Sequence, residues 1–460
     1  MAPLIQLDAF TGLVLALLVG TGGTVIAHAA RSLRGEPYRR RFVVLATLLV
    51  ASASAMALTG NLVVLAAGWL ATSWLALRLI GTGPNRERRR PAARASRAFR
   101  VGDLALVAAV ALLVVATSST DLRQVGAATG WAGAVAGLLL VVAAATRGAT
   151  APFHRWLPDS LGAPTPSSAL LHAGVVNGGA IVLLKLAPTV SGRMVPAVAA
   201  ATLGALSCAF AEAVMVTRPD VKGQLAWSTI AQMSFTLLLC GLGLEVAAAL
   251  HLVAHGAYKG ARFLGSGSSV RPLVRQRRAA PARHRTQATV LGIGAGVAGI
   301  GLGLAVGASL VPLHLHGDLL VPTGLAFVAC AVAATAWARR TSVASSGEGP
   351  TLGRAPLLGA GAIALGTAAY VTGTALADRV VGPVFEVAPA TLSALWIVPV
   401  LATLAVVALR PPRLLHAAER WAAAAGRPTP PPVRRSPAAP VIAHPTPTHP
   451  PAAVHRSFVP

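Results

Sequence analysis

One apolar run of the chain, residues 245–265, reads EVAAALHLVAHGAYKGARFLG and carries ionisable side chains in its interior. His251, His255 and Lys259 follow one another at intervals of four residues. In a helix this spacing places all three on one face, about 6 Å apart per step and about 12 Å in total. Ionisable groups at membrane depth are costly and are usually functional. The run therefore predicts a membrane helix with a row of titratable groups along one side.

The composition of the whole chain is that of a multi-span membrane protein. Of its 460 residues, 55% are hydrophobic and 12% are charged, and the mean hydropathy is +0.67. No water-soluble surface accommodates such a composition. The net charge of +25 is divided among short blocks between apolar runs, which argues against a nucleic-acid-binding stripe. Cys208, Cys240 and Cys330 are far apart and inside apolar runs, so we expect no metal, redox centre or other cofactor in this chain.

About thirteen apolar runs have the length of roughly 17–25 residues that suits a hydrocarbon core of ~30 Å. They occupy residues 10–30, 42–59, 61–81, 101–118, 131–162, 166–187, 194–216, 224–243, 245–265, 288–310, 318–338, 355–376 and 391–409. The predicted fold class is therefore all-α, a polytopic integral membrane bundle of about 13 transmembrane helices. The run 131–162 is interrupted and predicts a broken helix.

The basic blocks between the runs predict the topology. They follow odd-numbered runs, at residues 31–41, 84–100, 218–222, 271–285 and 339–354. Even-numbered runs are followed only by Arg123, Arg193 and Arg379. Since cytoplasmic loops hold the Lys and Arg excess, we expect a bacterial inner-membrane protein with its N-terminus outside and its tail inside.

The chain divides into four predicted regions. Residues 1–59 are N-terminal transmembrane helices, 60–270 form a proton-conducting core, and 271–409 are C-terminal transmembrane helices. Residues 410–460 are rich in Pro, Ala and Arg and predict a disordered cytoplasmic tail. The basic residues of the tail are either simply solvated or in contact with anionic membrane lipid.

Lysine is rare in this chain, and its positions are informative. Arg supplies 36 of the 39 basic Lys and Arg residues, and the three lysines are Lys185, Lys222 and Lys259. Arg stays protonated at any usable pH, whereas a lysine withdrawn from water is able to lose its proton. Lys259 in the middle of a run therefore indicates titration. The alternatives are buried histidines bonded to carbonyls beside a snorkelling lysine, or a zinc site, which lacks a nearby third ligand.

Further polar groups lie in the run 166–187 and in the interrupted run before it. His172 is a candidate proton relay, with Asn177 five residues on, and Lys185 near one end is a candidate interfacial anchor. In the interrupted run, residues 146–152 read TRGATAP and precede a predicted second helix that ends at APTP, residues 163–166. Broken helices of this kind line ion sites in transporters. Arg147 would hold a fixed positive charge at the break.

Two acidic residues complete the set of candidates. Asp103, at the start of the run 101–118, is either an acid where protons are taken up or part of an interfacial ion pair. Glu212 lies about two turns inside the seventh run, and a lone carboxylate there favours function over packing.

Two stretches resemble the antiporter-like membrane subunits of the NADH:quinone oxidoreductase and Mrp cation/proton antiporter superfamily. They are APFHRWLPDSLGAPTPSSALLHAGVVNGGAIVLLKLA, residues 151–187, and residues 219–268, which begin PDVKGQLAWSTIAQMSF and end HLVAHGAYKGARFLGSGS. The resemblance implies an inverted-repeat architecture and a hydrated half-channel. Carried over by motif position, the relay residues are His172, His251, His255 and Lys259.

Shorter motifs are most similar to the membrane subunit of DAB-type inorganic-carbon accumulation complexes. They are HAGVVNGG at residues 172–179, RPDVK at 218–222 and the Arg-rich stretch 86–100 that runs into RVGD at 100–103. This resemblance implies a large, zinc-dependent, carbonic-anhydrase-like partner. It also implies that the chain itself is not an enzyme.

The sequence departs from the respiratory members in three places. Gly68 and Trp69 are followed by Leu70 instead of Glu, Arg147 replaces a Lys, and the run 288–310 holds no Lys, His or carboxylate. Three hypotheses follow: a non-enzymatic subunit that couples a proton or sodium gradient to CO2 or bicarbonate uptake, a proton-translocating component of an oxidoreductase or Mrp-type antiporter, or a scaffold with packed polar residues.

Overall fold

The computed structural model describes residues 4–82, 89–218 and 220–266, together with isolated positions between 302 and 385. In these ranges the chain is helical, and β-structure is limited to one bridge between Asn61 and Asp121. The helices are α1 (Ala9–Ser32), α2 (Arg39–Leu58), α3 (Leu62–Ile80), α4 (Arg89–Thr117), α5 (Gly130–Arg147), α6 (Trp156–Asp159), α7 (Thr165–Leu170), α8 (Asn177–Lys185), α9 (Ala187–Val190), α10 (Met194–Thr217), α11 (Val221–Gly241) and α12 (Glu245–Leu264). Short 3-10 turns lie at Leu122–Ala127, Phe153–Arg155, Ser160–Gly162 and Gly382–Val384.

Seven helical segments of the described residues are long and apolar enough to cross a membrane. α11 and α12 are of similar length, 21 and 20 residues, but more polar. The predicted polytopic helical fold is confirmed. The predicted spans 288–310, 318–338, 355–376 and 391–409, the second half of the predicted inverted repeat and the tail 410–460 lie outside the continuously described ranges.

Polar side chains mark where several helices begin. Asp8 accepts a hydrogen bond from the backbone N–H of Thr11 at 2.7 Å at the start of α1. Asp220 accepts one from the N–H of Gly223 at 2.6 Å at the start of α11. Such caps satisfy N–H groups that have no partner within the helix. They fix the starts of these helices to within three residues of the apolar runs.

The fourth span is longer than predicted. The Arg-rich stretch 86–100 was expected to be a loop, but the helix α4 begins at Arg89 and continues without a break to Thr117. Arg and Ala, which make up most of this stretch, are strong helix formers, and Pro91 is tolerated because it lies in the first turn. Arg94 in the extension forms an ion pair with Asp159 at 2.5 Å. Asp103 consequently lies in the middle of α4, and the interpretation of an interfacial residue at the start of a span is wrong.

The predicted break in the fifth span is present, but the second helix predicted after it is not. α5 ends at Arg147, and residues 153–162 form only short turns of three or four residues. The polar backbone groups at the break find partners on neighbouring elements: Ala151 N–H donates to Ser207 Oγ at 2.7 Å, and Trp156 Nε1 donates to Thr146 O at 3.0 Å. Non-helical backbone at membrane depth requires such partners. The three prolines within residues 152–164 account for the absence of a continuous second helix.

A second interruption was not predicted. The span from Thr165 to Lys185 contains a π-helical turn at Leu171–Val175, between α7 and α8. π-Turns insert one extra residue and are found mostly at functional sites. His172 lies in this turn and is fully buried.

α10 and α11 pack closely through glycine. A Cβ atom added at Gly204 on α10 would lie 2.5 Å from the backbone N of Leu238 and 2.7 Å from the carbonyl O of Ser234, both on α11. Small residues at such contacts let membrane helices approach closely. The contact matters for the candidate site because α11 contributes two of its hydroxyl groups.

We expect Gly204→Ala to destabilise the protein by about 1 to 3 kcal/mol, because the methyl group would overlap the backbone of α11. Denaturant titration in detergent micelles measures the change. Gly20→Ala on α1 is the matched control, since no atom lies within 4 Å of the added Cβ there. Equal stability of the two variants would contradict the close packing of α10 and α11.

Candidate functional site

Lys259 is the most deeply buried lysine among the described residues. Its side chain is 1% exposed, and its Nζ donates to Leu225 O at 3.0 Å and to Ser228 Oγ at 2.5 Å, both on α11. These bonds hold the ammonium group against α11, inside the helical bundle. A carbonyl and a hydroxyl leave it without a bonded carboxylate, which favours exchange of its proton.

His172 is held between α11 and α12. Its Nδ1 lies 3.1 Å from Thr229 Oγ1, and its ring stacks on Phe263 with the ring centres 4.2 Å apart. The other ring nitrogen, Nε2, is buried without a hydrogen-bond partner. Thr229 donates its own proton to Leu225 O at 2.9 Å, the same carbonyl that accepts from Lys259. His172 and Lys259 thus share one group of polar atoms on α11.

The two histidines of α12 extend this group along the helix. His255 is 5% exposed, and its Nε2 lies 3.3 Å from the backbone carbonyl O of His172. The ring of His251 lies 6.1 Å from that of His255 and contacts Phe235 edge-on at 5.0 Å. The structure therefore places His172, His251, His255 and Lys259 in one region. Their role as a proton relay stays a prediction.

The π-turn and a glycine explain why α12 approaches this region so closely. A Cβ atom at Gly256 would lie 3.0 Å from both the carbonyl O of Ala173 and the Nδ2 of Asn177. Asn177 donates to Ala173 O at 2.8 Å, and its Oδ1 is buried without a partner. The hydrogen bond from Asn177 therefore stabilises the π-turn, which is consistent with a positioning function.

Arg147 forms a second buried polar group, which we call the Arg147 cluster. Its guanidinium is 1% exposed and donates to Thr72 Oγ1 at 2.9 Å, to Ser73 Oγ at 2.5 Å and to Trp69 O at 3.4 Å, all on α3. It also lies over the ring of Trp69, 3.9 Å from its centre. Hydrogen bonds and a cation–π contact together satisfy a charge that cannot be neutralised by losing a proton.

Asp103 supplies the negative charge of the Arg147 cluster. Its Oδ1 lies 3.6 Å from Arg147 Nη2 and accepts hydrogen bonds from Trp69 Nε1 at 2.7 Å and from Ser73 Oγ at 2.6 Å. Leu70, where the resemblance predicts Glu, is 41% exposed and points away from this group. The acid that faces the buried cation thus comes from α4 instead of α3.

The other two predicted residues have different surroundings. Lys185, at the end of α8, donates to the backbone carbonyl O of Ala57 at 2.8 Å, in the last turn of α2. This contact agrees with an anchor. Glu212 is half-buried on α10 and is the carboxylate that interacts electrostatically with Lys259.

Sequence reasoning missed four groups of the site. Ser228 and Thr229 stand inside an apolar span and were detectable as neighbouring hydroxyls within residues 224–243. Glu245 is 8% exposed and accepts from Ser191 Oγ at 2.6 Å; it was overlooked because it stands at the edge of a run. His154 is 9% exposed and was missed because the stretch around it was interpreted only through its prolines.

The fold and the site together define a polytopic helical membrane protein with buried titratable groups at a π-turn and a broken helix. Residues 59–284 match the family described as NADH:quinone oxidoreductase/Mrp antiporter, transmembrane. These residues carry the sequence pattern of that family, which confirms the resemblance seen in the sequence.

The chain is also similar to several individual proteins. It is 34% identical to the probable inorganic carbon transporter subunit DabB2 of Halothiobacillus neapolitanus, over 72% of this chain and 60% of that protein. It is 36% identical to the probable subunit DabB of Hydrogenovibrio crunogenus, over 48% of this chain and 44% of that protein. The structure of the Mrp complex from Dietzia sp. DQ12-45-1b aligns with a TM-score of 0.58 and 26% identity, covering 92% of this chain and 52% of that one. The chain spans about half of the length of these relatives.

We expect Asp103 and Arg147 to be energetically coupled. Asp103→Asn keeps the acceptor oxygen for Trp69 and Ser73 but leaves the guanidinium without a counter-charge, which should cost about 1 to 3 kcal/mol. Denaturant titration of Asp103→Asn, Arg147→Gln and the double variant measures the coupling. The double variant should be more stable than the sum of the single effects predicts. Strictly additive effects would show that the two charges do not interact.

Proposed function

We propose that this chain is the ion-conducting membrane subunit of an inorganic-carbon uptake complex, which couples a proton or sodium gradient to the uptake of CO2 or bicarbonate. The chain is not itself an enzyme in this proposal. The partner is a large, zinc-dependent, carbonic-anhydrase-like protein, and the complex lies in the bacterial inner membrane. The observation that carries the proposal is a buried group in which His172 and Lys259 meet oxygens of α11 and His255 contacts the backbone of His172.

These residues are suited to moving a proton along α12. Lys259 gives its proton to a neighbouring water and takes another while Ser228 and Leu225 hold its nitrogen in place. His172 has a free ring nitrogen, Nε2, and His255 lies against its backbone. Imidazole accepts and releases protons at physiological pH. Phe263 stacks on the ring of His172 and Phe235 contacts the ring of His251, so the orientations of these two rings are restricted.

The Arg147 cluster acts through charge instead of proton exchange. Its cation is permanent, and Asp103 offsets it. A proton that arrives at the relay residues raises the local positive charge, which repels Arg147 and weakens its interactions within the cluster. The cluster therefore adjusts the occupancy of the relay without carrying protons.

The names of the relatives support the carbon-uptake assignment. Two of them are described as probable inorganic carbon transporter subunits. The runs 288–310 and 355–376 hold no Lys, His or carboxylate in the sequence, so we propose that protons pass to or from a partner instead of across two similar halves. In the partner, bound zinc would supply a water that titrates near neutral pH.

The alternative is a proton-translocating subunit of a respiratory NADH:quinone oxidoreductase or an Mrp-type antiporter. The family description and the Mrp complex structure favour it. The absence of Glu at Leu70 and the replacement of Lys by Arg147 favour the carbon-uptake subunit. Flavin or iron–sulfur proteins among the co-purified partners would support the alternative, whereas a zinc hydratase would support the proposal.

Lys259→Ala should abolish gradient-dependent transport while the protein remains in the membrane, because the exchangeable ammonium is lost. Lys259→Arg should also fail, since it keeps the charge but cannot release the proton. Proton flux into membrane vesicles, followed with a pH-sensitive dye, measures the effect. Lys222→Ala is the matched control and should conduct normally. It removes a lysine at the start of α11 whose side chain donates a hydrogen bond to Thr165. Normal flux in a well-expressed Lys259→Ala variant would refute the relay.

Growth of a carbonic-anhydrase-deficient host at ambient CO2 tests the partner. We expect rescue when this chain and its zinc partner are expressed together, because neither the conducting path nor the hydration chemistry suffices alone. An uncoupler should abolish the rescue. Rescue by this chain alone, or rescue that survives collapse of the gradient, would contradict the coupling.

A further inference from the structure

His154 lies just below an exposed surface at the broken helix. Its side chain is 9% exposed, while Pro152 and Arg155 on either side are exposed. Asp159, a few residues on, forms the ion pair with Arg94 of the basic extension of α4. His154 therefore lies between the polar end of the bundle and its interior.

Both ring nitrogens of His154 are buried without a hydrogen-bond partner. Its ring lies in an aromatic enclosure, with Phe210 of α10 at 5.2 Å and Trp227 of α11 at 5.4 Å between ring centres. Phe210 and Trp227 also contact each other at 5.6 Å. Packing alone would be served by a third aromatic hydrocarbon ring. A buried imidazole with two unsatisfied nitrogens instead indicates an exchangeable water or proton at this position.

The enclosure adjoins, along the chain, the residue that binds Lys259. Trp227 is followed in the chain by Ser228, whose Oγ accepts the hydrogen bond from Lys259 Nζ at 2.5 Å. Glu212, which interacts electrostatically with Lys259, lies two residues after Phe210 on α10. The two helices that contact His154, α10 and α11, thus also carry the residues that interact with Lys259.

The charged groups around His154 are of both signs. Arg155 and Asp159 on its own segment interact with it electrostatically, and Arg218 at the end of α10 lies over the ring of Trp227, 5.7 Å from its centre. Glu212 on α10 and Lys259 on α12 are the titratable groups deeper in the bundle. His154 is the histidine between these two sets of charges.

We propose that His154 is the residue through which protons pass between the aqueous surface and Lys259. This assignment rests on the proposed function of the chain. The neutral imidazole accepts a proton from water on the Arg155 side and becomes imidazolium. It then releases a proton from the other ring nitrogen to a water near Ser228, from which the neutral amine of Lys259 takes it, and His154 returns to its neutral form.

Proton flux into vesicles that contain the full chain with its co-purified partners tests the assignment. His154→Phe keeps an aromatic ring against Phe210 and Trp227 but cannot titrate, and we expect it to lower flux by roughly tenfold or more. His28→Phe on α1 is the matched control and should conduct as the natural chain does. Folding of each variant is checked by its elution as a single species in detergent.

Chemical rescue separates proton transfer from packing. His154→Ala leaves a space the size of an imidazole ring, so added imidazole should restore flux with a pH dependence set by the added base. Pyrazole has the same ring size but is a much weaker base, and it should not restore flux. Equal restoration by both compounds would assign His154 a packing role and overturn the proposal.

The outcomes for Lys259 and His154 are distinguishable. If the natural chain and Lys259→Ala conduct alike, the proposed function fails. If Lys259→Ala is inactive while His154→Phe conducts at the natural rate over the whole pH range, only the assignment of His154 is overturned. Loss of flux in His154→Phe together with rescue of His154→Ala by imidazole supports it.

Discussion

The guanidinium of Arg147 faces the carboxylate of Asp103 across 3.6 Å at the point where α5 ends. A permanent cation inside a membrane protein must be offset and hydrogen-bonded, since its free energy in an apolar environment is otherwise prohibitive. α3 supplies two hydroxyl groups and a tryptophan ring as partners of this cation, and α4 supplies the carboxylate. The packing of α3, α4 and α5 against one another follows from satisfying this one charge.

Two kinds of buried cation thus divide the interior of the protein. Arg147 is bound by a carboxylate and keeps its charge, whereas Lys259 is bound by a carbonyl and a hydroxyl and has only the half-buried Glu212 as a carboxylate that acts on it. The neutral form of Lys259 is the easier one to reach because its direct partners carry no charge. In the proposed function Arg147 supplies the constant charge of the interior and Lys259 the charge that changes.

The sequence predicts the spans well, because apolar length and proline position control them directly. The residues His172, His251, His255 and Lys259 were recognisable from spacing and from the resemblance, and the structure brings them together. What could not be predicted depends on contacts between distant segments. The pairing of Asp103 with Arg147 requires the register of α4, which the Arg-rich extension shifts by more than three turns. The contacts of Ser228 with Lys259 and of Thr229 with His172 could not be predicted because they depend on how distant segments pack against α11.

The π-turn at Leu171–Val175 has a consequence for how this region can change shape. A π-turn holds one residue more than an α-turn, so its conversion to α-helix would rotate the flanking segments relative to each other by about 100°. His172 would then leave Thr229, while Asn177 and the rest of α8 keep their positions. Because α8 stays in place, α7 takes up the rotation, and one change of winding within this span would disconnect the imidazole from α11.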